Sequence, residues 1–353
     1  MSPSLRLPGL DLTRGLCAIL VCIYHVLTWT GGPRLYTVGT YCVYVFFVVS
    51  GASLYLGYAE RCRTAIDIRN FYARRYMRLA PLYIAVIVLG LALGAIFSAP
   101  RPEAWKILAN ASLLFGLTGA GNTSIVTGGW SIGIEVIFYL LFPLLLLVMR
   151  TRLALLATLA ALAVQLGYVN QVLGPAASLH EARLAYTQPL SFIFYFVAGM
   201  LLGKLLRGAA RPAALKPAAL YWLPMLAGLA AIALWQSPDA RSALIGPAGL
   251  LLSLIAVAVA ASGALIRLQG VPLKLALFVG NTSYGVYLLH PLIYRVCRRL
   301  FDGLAHQPWL FTMLVLAISL PCAYYMDRKF EVPMRAWLSR SVFKRHLRGE
   351  PAA

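Results

Sequence analysis

The 353-residue sequence predicts an all-α polytopic membrane protein. Hydrophobic residues make up 61% of the chain and charged residues 12%, whereas soluble globular proteins are about half apolar and about a quarter charged. Apolar runs of about 20 residues, the length that crosses a bilayer as a helix, recur from one end of the chain to the other. This composition excludes a soluble domain, a disordered chain and a small disulfide scaffold.

About ten runs are predicted to be transmembrane helices. The first is long enough to span and lacks a small-residue cleavage pattern, so we expect it to be retained rather than removed as a signal peptide. Trp105–Leu117 is too short to cross and contains Asn110, which predicts one short re-entrant or interfacial helix. The expected spans are 13–31, 35–58, 80–99, 130–149, 153–170, 187–206, 218–236, 242–266, 276–296 and 308–327.

The basic residues predict the orientation of the chain. Lys and Arg number 31 against 11 Asp and Glu, a formal net charge of +20, and such residues collect in cytoplasmic loops. Placing both termini in the cytoplasm puts most of them on that side. We therefore expect a single transmembrane domain over residues 1–330 and a basic cytoplasmic tail over 331–353. Most of the basic excess then sets the topology and contacts the lipids of the inner membrane surface, and no nucleic-acid partner is predicted.

The six cysteines predict neither a disulfide framework nor a metal site. Five of them lie in apolar runs and none forms a C-x-x-C pair, so we interpret them as small buried side chains. No metal and no permanently bound cofactor is expected. The sequence leaves the oligomeric state open.

Ionisable residues within the spans are the informative ones, because they are costly in a bilayer and usually face a cavity or one another. The first group is Asp11, just before the first span, with Arg14 and His25 inside it. Eleven helical steps place Arg14 and His25 on one face, ~16 Å apart along the axis. This predicts a lined cavity with Arg14 at its cytoplasmic mouth; the alternative is a histidine satisfied by a neighbouring helix.

A cluster of arginines begins the third span. Arg74, Arg75 and Arg78 are three and four residues apart, so their guanidinium groups lie together on a helix. Such a cluster suits bidentate binding of phosphate. The competing interpretation is a plain positive-inside anchor.

The fourth span opens with Trp130 and carries Ser131, Glu135 and Tyr139 at spacings of four. This spacing places a hydroxyl, a carboxylate and a phenol on one helical stripe. The alternative is a carboxylate solvated near the outer surface.

The ninth span carries Ser283, Tyr284, Tyr287 and His290, followed by Pro291. Ser283, Tyr287 and His290 share one face, and the predicted topology brings His290 to the outer half of the membrane. The alternative is a structural histidine that bonds a carbonyl freed by Pro291. Together the four groups predict an acid/base site in the outer half joined to an anion-binding mouth on the cytoplasmic side.

These residues resemble the motifs of the integral-membrane acyltransferase type 3 family. The matching segments are Asp11-x-x-Arg14-Gly15 with His25, Phe46-Phe47-Val48-Val49-Ser50-Gly51, Arg75-x-x-Arg78-Leu79-x-Pro81-x-Tyr83, Trp130-Ser131-x-x-x-Glu135-x-x-Phe138-Tyr139 and Ser283-Tyr284-x-x-Tyr287-Leu288-x-His290. They occur in family order over nearly the whole chain.

The resemblance implies transfer of an acyl group, most often acetyl from acetyl-coenzyme A as co-substrate, to a sugar hydroxyl. The implied acceptor is a glycan or lipid-linked glycan such as O-antigen or exopolysaccharide, and the implied location is the bacterial inner membrane. It implies a catalytic role for His25, a donor-lining role for Arg14, coenzyme A phosphates on Arg75 and Arg78, and an acceptor pocket around Glu135 and His290.

One departure from the family pattern concerns a carboxylate pair. The family often has a second acidic residue next to Glu135, where this chain has Val136. A role that needs two adjacent carboxylates is therefore not expected.

The expected mechanism has neutral His25 take the proton of the acceptor hydroxyl as a general base, with Glu135 or His290 orienting its imidazole. Tyr287, Ser283 or a backbone N–H would stabilise the oxyanion, and an acyl-histidine intermediate is the two-step alternative. Two other functions stay open at this point. One is O-acylation of a small secreted metabolite such as a macrolide sugar, and the other is secondary transport of an anionic solute.

Overall fold

The computed structural model describes residues 6–208 and 219–344, and within these residues every regular element is helical. The helices are α1 (Pro8–Trp29), α2 (Tyr36–Tyr58), α3 (Ala65–Ile96), α4 (Ala104–Ala111), α5 (Ala120–Thr123), α6 (Trp130–Met149), α7 (Ala154–Leu173), α8 (Arg183–Tyr186), α9 (Ile193–Gly208), α10 (Ala219–Leu234), α11 (Gly246–Leu265), α12 (Gly270–Leu300), α13 (Pro308–Met326) and α14 (Val332–Lys344). Short 3₁₀ turns lie at Leu114–Thr118, Pro189–Ser191 and Asp302–His306. The predicted all-α class is confirmed for these residues.

Seven of the described helices are long and apolar enough to cross a membrane: α1, α2, α3, α6, α7, α11 and the continuous segment that begins with α13. The three other predicted spans coincide with α9, α10 and α12. Helices α9 and α10 have 16 residues each in the described part of the chain, and α12 has 31 residues but carries several charges. The chain is thus a multi-pass membrane protein, while the number ten stays a prediction.

The short helix predicted near Trp105 is α4, eight residues long, followed by the 3₁₀ turn Leu114–Thr118. Asn110 at its end is fully buried and fixes the loop that leads to α6. Its side-chain oxygen accepts from Tyr83 Oη at 2.9 Å and from the Ile125 N–H at 3.3 Å, and its amide donates to the Thr123 carbonyl at 2.8 Å. The asparagine therefore ties the loop before α6 to α3.

The C-terminal helix does not stop at the end of the last predicted span. After α13 the helix widens into a π-turn, Asp327–Glu331, and continues as α14, which packs against α3. The domain boundary predicted at residue 330 lies within this continuous segment. Residues 345–353 of the predicted tail lie outside the described residues.

Close helix packing forms the centre of the molecule, where α1 packs against α12 and α2 packs against α9. A side chain at Gly280 of α12 would collide with Asp11, whose Cβ lies 2.5 Å from the position of an added Cβ. At Gly199 of α9 the added atom would lie 2.0 Å from the Val48 carbonyl oxygen. Small residues let transmembrane helices approach in this way, and here they bring the polar faces of α1 and α12 together.

The packing of α2 on α9 gives a first prediction. Gly199→Val should destabilise the protein by about 1–3 kcal/mol, because the backbone of α2 leaves no room for the added methyl groups. The apparent Tm of the purified protein in detergent measures this loss. Gly167→Val on exposed α7, where no atom lies within 4 Å of the added Cβ, is the matched control. An equal fall in Tm for both variants would contradict the prediction.

Candidate active site

Most of the predicted site residues line one central cavity of about 130 Å³ between α1, α2, α3, α6 and α12. Most of its apolar lining comes from α2. The polar lining residues are Arg14, Ser50, Ser53, Arg75, Arg78, Ser131, Glu135, Tyr139, Ser283, Tyr284 and Tyr287. Ser50 and Ser53 are lining residues to which the sequence pattern assigns no role. The only signal for Ser50 was its place in the Phe46–Gly51 motif.

The two histidines of α1 and α12 form a directly bonded pair. His25 Nδ1 lies 3.0 Å from His290 Nε2, and the rings are nearly parallel with centroids 5.2 Å apart. Trp29, one turn after His25, stacks on its ring with centroids 5.1 Å apart. Of the two candidates for orienting His25, His290 is thus the one that makes the contact.

A hydrogen bond to one backbone carbonyl determines the tautomers of this pair. His290 Nδ1 lies 2.9 Å from the Val286 carbonyl oxygen, which can only accept, so a neutral His290 carries its proton on Nδ1. Its Nε2 is then the acceptor, and His25 must donate from Nδ1. This leaves His25 Nε2 as a nitrogen with a free lone pair. The hydrogen bond of His290 goes to the Val286 carbonyl. The carbonyl that Pro291 leaves without a helical N–H partner is that of Tyr287.

Tyr287 connects the cavity wall to this pair. Its ring centroid lies 6.4 Å from that of His290, and its hydroxyl lies 2.8 Å from Ser131 Oγ and 2.9 Å from the Gly128 carbonyl. The Ser283 hydroxyl donates to the Gly280 carbonyl at 2.7 Å. Tyr287 and Ser283, the two side chains considered as oxyanion donors, are therefore both committed to backbone carbonyls. The choice between Tyr287, Ser283 and a backbone N–H as oxyanion donor stays a prediction.

Glu135 belongs to the other half of the cavity. Its Oε1 accepts from Ser50 Oγ at 2.7 Å and from Tyr139 Oη at 2.5 Å. The Arg75 guanidinium lies over the Tyr139 ring at 5.9 Å and donates to Tyr58 Oη at 3.0 Å. Glu135 therefore organises the polar wall near Arg75, and its bonds in the structure do not reach the histidines.

A second cavity of about 450 Å³ adjoins the central one at Arg14 and Arg78, which line both. We call this second cavity the basic mouth. It is lined by Arg6, Asp11, Arg14, Arg78, Asn281, Asp327, Arg328, Val332 and Arg335. The two cavities together form a polar path from the start of α1 to the wall that carries Tyr287.

Asp11 holds the mouth together from the side of α1. Its carboxylate accepts from Arg6 at 2.7 Å and from Arg14 at 3.0 Å, and Arg14 also donates to the Gly280 carbonyl at 3.0 Å. The Nε atoms of Arg14 and Arg75 are buried without a hydrogen-bond partner in the described part of the chain. These guanidinium groups therefore keep hydrogen-bonding capacity for a ligand.

Four predicted site residues line neither of these cavities, namely the histidine pair His25 and His290, Arg74 and Trp130. Arg74 is exposed and does not line either cavity, because it lies about 100° around the helix from Arg75, on the far side of Arg78. Trp130 packs on Phe192 with centroids 5.4 Å apart, at the start of α6. Tyr284 lines the cavity and also donates to the Leu79 carbonyl at 2.9 Å, which ties α12 to α3.

A third cavity, of about 120 Å³, lies beside the opposite end of the site between α3 and α12. Leu288 and Pro291, which flank His290, line it together with Arg101, Thr127 and Arg295. We call it the outer cavity, after the side to which the predicted topology assigns it. Over residues 6–208 and 219–344, no group of three or more His, Cys, Asp or Glu side chains could hold a metal ion.

Two known proteins are similar to this chain over most of its length. The exopolysaccharide production protein ExoZ of Rhizobium meliloti (strain 1021) is 28% identical over 316 residues, which cover 86% of this chain and 92% of ExoZ. The acyltransferase MdmB of Streptomyces mycarofaciens is 26% identical over 332 residues, which cover 84% of this chain and 81% of MdmB. No solved structure matches.

The match to a protein family decides the class of the enzyme. Residues 7–328 match the family described as an acyltransferase domain, and this range contains every side chain of the central cavity and the bonded histidine pair. Family membership also removes secondary transport as the competing interpretation. The chain belongs to this acyltransferase family and is a multi-pass membrane acyltransferase.

Proposed function

We propose that this protein transfers an acyl group, typically acetyl, from acyl-coenzyme A to a hydroxyl of a cell-envelope or secreted glycan, with His25 as the general base. The observation that carries the proposal is the bonded pair His25–His290, whose hydrogen bonds leave His25 Nε2 with a free lone pair. A proton acceptor of this kind, fixed in one tautomer, is what activation of a hydroxyl requires.

The chemical step follows from that nitrogen. The acceptor hydroxyl oxygen attacks the thioester carbonyl carbon while its proton passes to His25 Nε2. The carbon–sulfur bond then breaks, and the thiol of coenzyme A leaves with the proton from the imidazolium. In the two-step alternative Nε2 itself attacks the thioester first, so both courses depend on the same atom.

The spacing of Arg14 and His25 along α1, together with the charge of the cavities, supports a coenzyme A donor. Arg14 and His25 are separated by eleven residues of α1, ~16 Å along the helix axis, which the extended pantetheine arm can bridge. Arg14, Arg75 and Arg78 line the central cavity, and the buried unpartnered Nε atoms of Arg14 and Arg75 suit an anionic or polar ligand. The nucleotide would then sit in the basic mouth with the thioester pointing towards the histidines.

The acceptor would approach from the other end. The outer cavity borders Pro291 and Leu288, next to His290, and lies away from the basic mouth. The name of ExoZ refers to exopolysaccharide production, which supports a glycan acceptor. With both termini in the cytoplasm of a bacterium, the reaction would join a cytoplasmic donor to an acceptor on the outer side of the inner membrane.

The role of His25 gives the central prediction. His25→Ala should lower acyl transfer by about 10²–10⁴-fold, the usual contribution of a general base. Mass spectrometry of envelope and secreted glycans from a deletion strain, complemented with wild type or the variant, measures the acyl groups. His306→Ala, at an exposed histidine remote from the site, is the matched control. Full acylation by inserted His25→Ala would overturn the mechanism, and loss of acyl groups from a small metabolite alone would overturn the glycan acceptor.

His290 is predicted to act as a positioning residue. His290→Ala should lower kcat by about tenfold or more without changing KM for the acyl donor, because His25 then loses the acceptor that fixes its tautomer. His290→Gln should retain more activity, since its amide oxygen can accept from His25 Nδ1. Steady-state kinetics with the purified protein, including the pH profile of kcat, separates the two variants. Equal activity of the Ala and Gln variants would contradict a positioning role.

The donor path predicts the effect of losing its arginines. Arg75→Ala and Arg78→Ala should each raise KM for acetyl-coenzyme A by about tenfold, the worth of a charge-assisted hydrogen bond, and should reduce the thermal shift that this ligand produces. Arg152→Ala, an exposed arginine after α6, is the control. A thermal shift that survives in the double variant Arg75→Ala/Arg78→Ala would contradict this donor site.

A further inference from the structure

We infer that helix α14, through Arg335 with the support of Arg328, forms a separate subsite in the basic mouth for the 3′-phosphate of the acyl-coenzyme A donor. The inference rests on the proposed donor and assigns its far end. Arg335 lies beyond residues 7–328, the range matched by the family, and Arg328 is the last residue of that range, so the main residue of the subsite comes from a part of the chain that the family match does not include.

The first observation is the charge of the mouth. Its lining contains the arginines of four different segments, Arg6 and Arg14 from the N-terminal end, Arg78 from α3, Arg328 from the π-turn and Arg335 from α14. Only Asp11 and Asp327 are acidic among the lining residues. A basic enclosure of this size suits a ligand with more than one phosphate.

The second observation is that Arg335 is only loosely engaged by acidic groups. Its Nη2 lies 3.3 Å from Asp327 Oδ1, and its Nε donates to the Glu331 carbonyl at 3.2 Å. Charge-assisted bonds between a guanidinium and a carboxylate are usually about 2.7–2.9 Å long. The side chain is 28% exposed, so Arg335 is accessible from the mouth and retains capacity for a phosphate.

The third observation concerns Glu331, which joins this helix to the central site. It is 1% exposed, lies 3.4 Å from Arg78 and has a second carboxylate oxygen without a hydrogen-bond partner among the described residues. A buried carboxylate that is only partly satisfied costs free energy of folding, so stability alone does not explain it. Its contact with Arg78 holds that side chain at the junction of the two cavities and holds the start of α14 beside the mouth. The π-turn that carries Glu331 is a feature frequent at functional sites.

The order of the two cavities indicates which phosphate of the donor lies beside Arg335. The thioester end of the donor must reach His25, so the pantetheine arm occupies the central cavity. Arg14 and Arg78 line both cavities and therefore meet the pyrophosphate that follows the arm. The remaining phosphate of coenzyme A, on the 3′ position of the ribose, lies further out, where Arg6, Arg328 and Arg335 are the arginines not used by the junction. Arg6 is already bonded to Asp11 and Asn281, each at 2.7 Å, which leaves Arg328 and Arg335.

The test compares two ligands that differ only in that phosphate. Isothermal titration of the purified full-length protein with coenzyme A and with 3′-dephospho-coenzyme A should show tighter binding of coenzyme A to the wild type. Arg335→Ala should weaken the binding of coenzyme A by about tenfold, which is the contribution of a hydrogen bond to a charged group. The affinity for 3′-dephospho-coenzyme A should stay unchanged. Arg328→Ala should have the same selective effect in smaller measure.

Arg340→Ala, an exposed arginine on the same helix and outside the lining, is the matched control and should bind both ligands as the wild type does. If Arg335→Ala weakens the binding of both ligands equally, or of neither, the 3′-phosphate subsite is overturned while the donor assignment stands. If the wild type does not distinguish the two ligands, the subsite is likewise overturned. If the wild type binds neither ligand, the proposed donor fails and the subsite fails with it.

Discussion

The hydrogen bond between His25 and His290 is the constraint on which the site depends. It joins α1 to α12 at the depth where the chemistry is proposed, and the Val286 carbonyl fixes its direction, because that oxygen can only accept. Two neutral imidazoles then have one arrangement, in which His25 Nε2 is the free base. The close approach of α1 and α12, which needs Gly280 beside Asp11, keeps the two rings in reach of each other.

The same pair of helices builds the opposite end of the site. Asp11 pairs with Arg6 and Arg14, and Arg14 also binds the Gly280 carbonyl. One helix interface thus carries a proton acceptor at one end and an anion-binding group at the other. That separation suits the proposed coenzyme A donor, since its reacting carbonyl and its phosphates lie at opposite ends of the same molecule.

Sequence patterns predicted the helical class and most of the cavity wall, because helical periodicity alone places Ser131, Glu135 and Tyr139 on one stripe. They could not predict which stripe faces which. Glu135 was a candidate for orienting His25, but it accepts from Ser50 of α2 instead. Arg74 was grouped with Arg75 and Arg78, yet it points to the exposed side of α3, because a helix places neighbouring residues about 100° apart.

The sequence by itself determined the membrane class, the residue types of the site and the family to which they belong, since composition, spacing and order along the chain carry that information. Only the tertiary structure decided that His290 is the partner of His25, that both hydroxyls proposed for the oxyanion serve backbone carbonyls, and that α14 returns to the mouth with Arg335. The physical reason is that these contacts join segments distant in the chain, and their pairing depends on how helices pack rather than on any local preference.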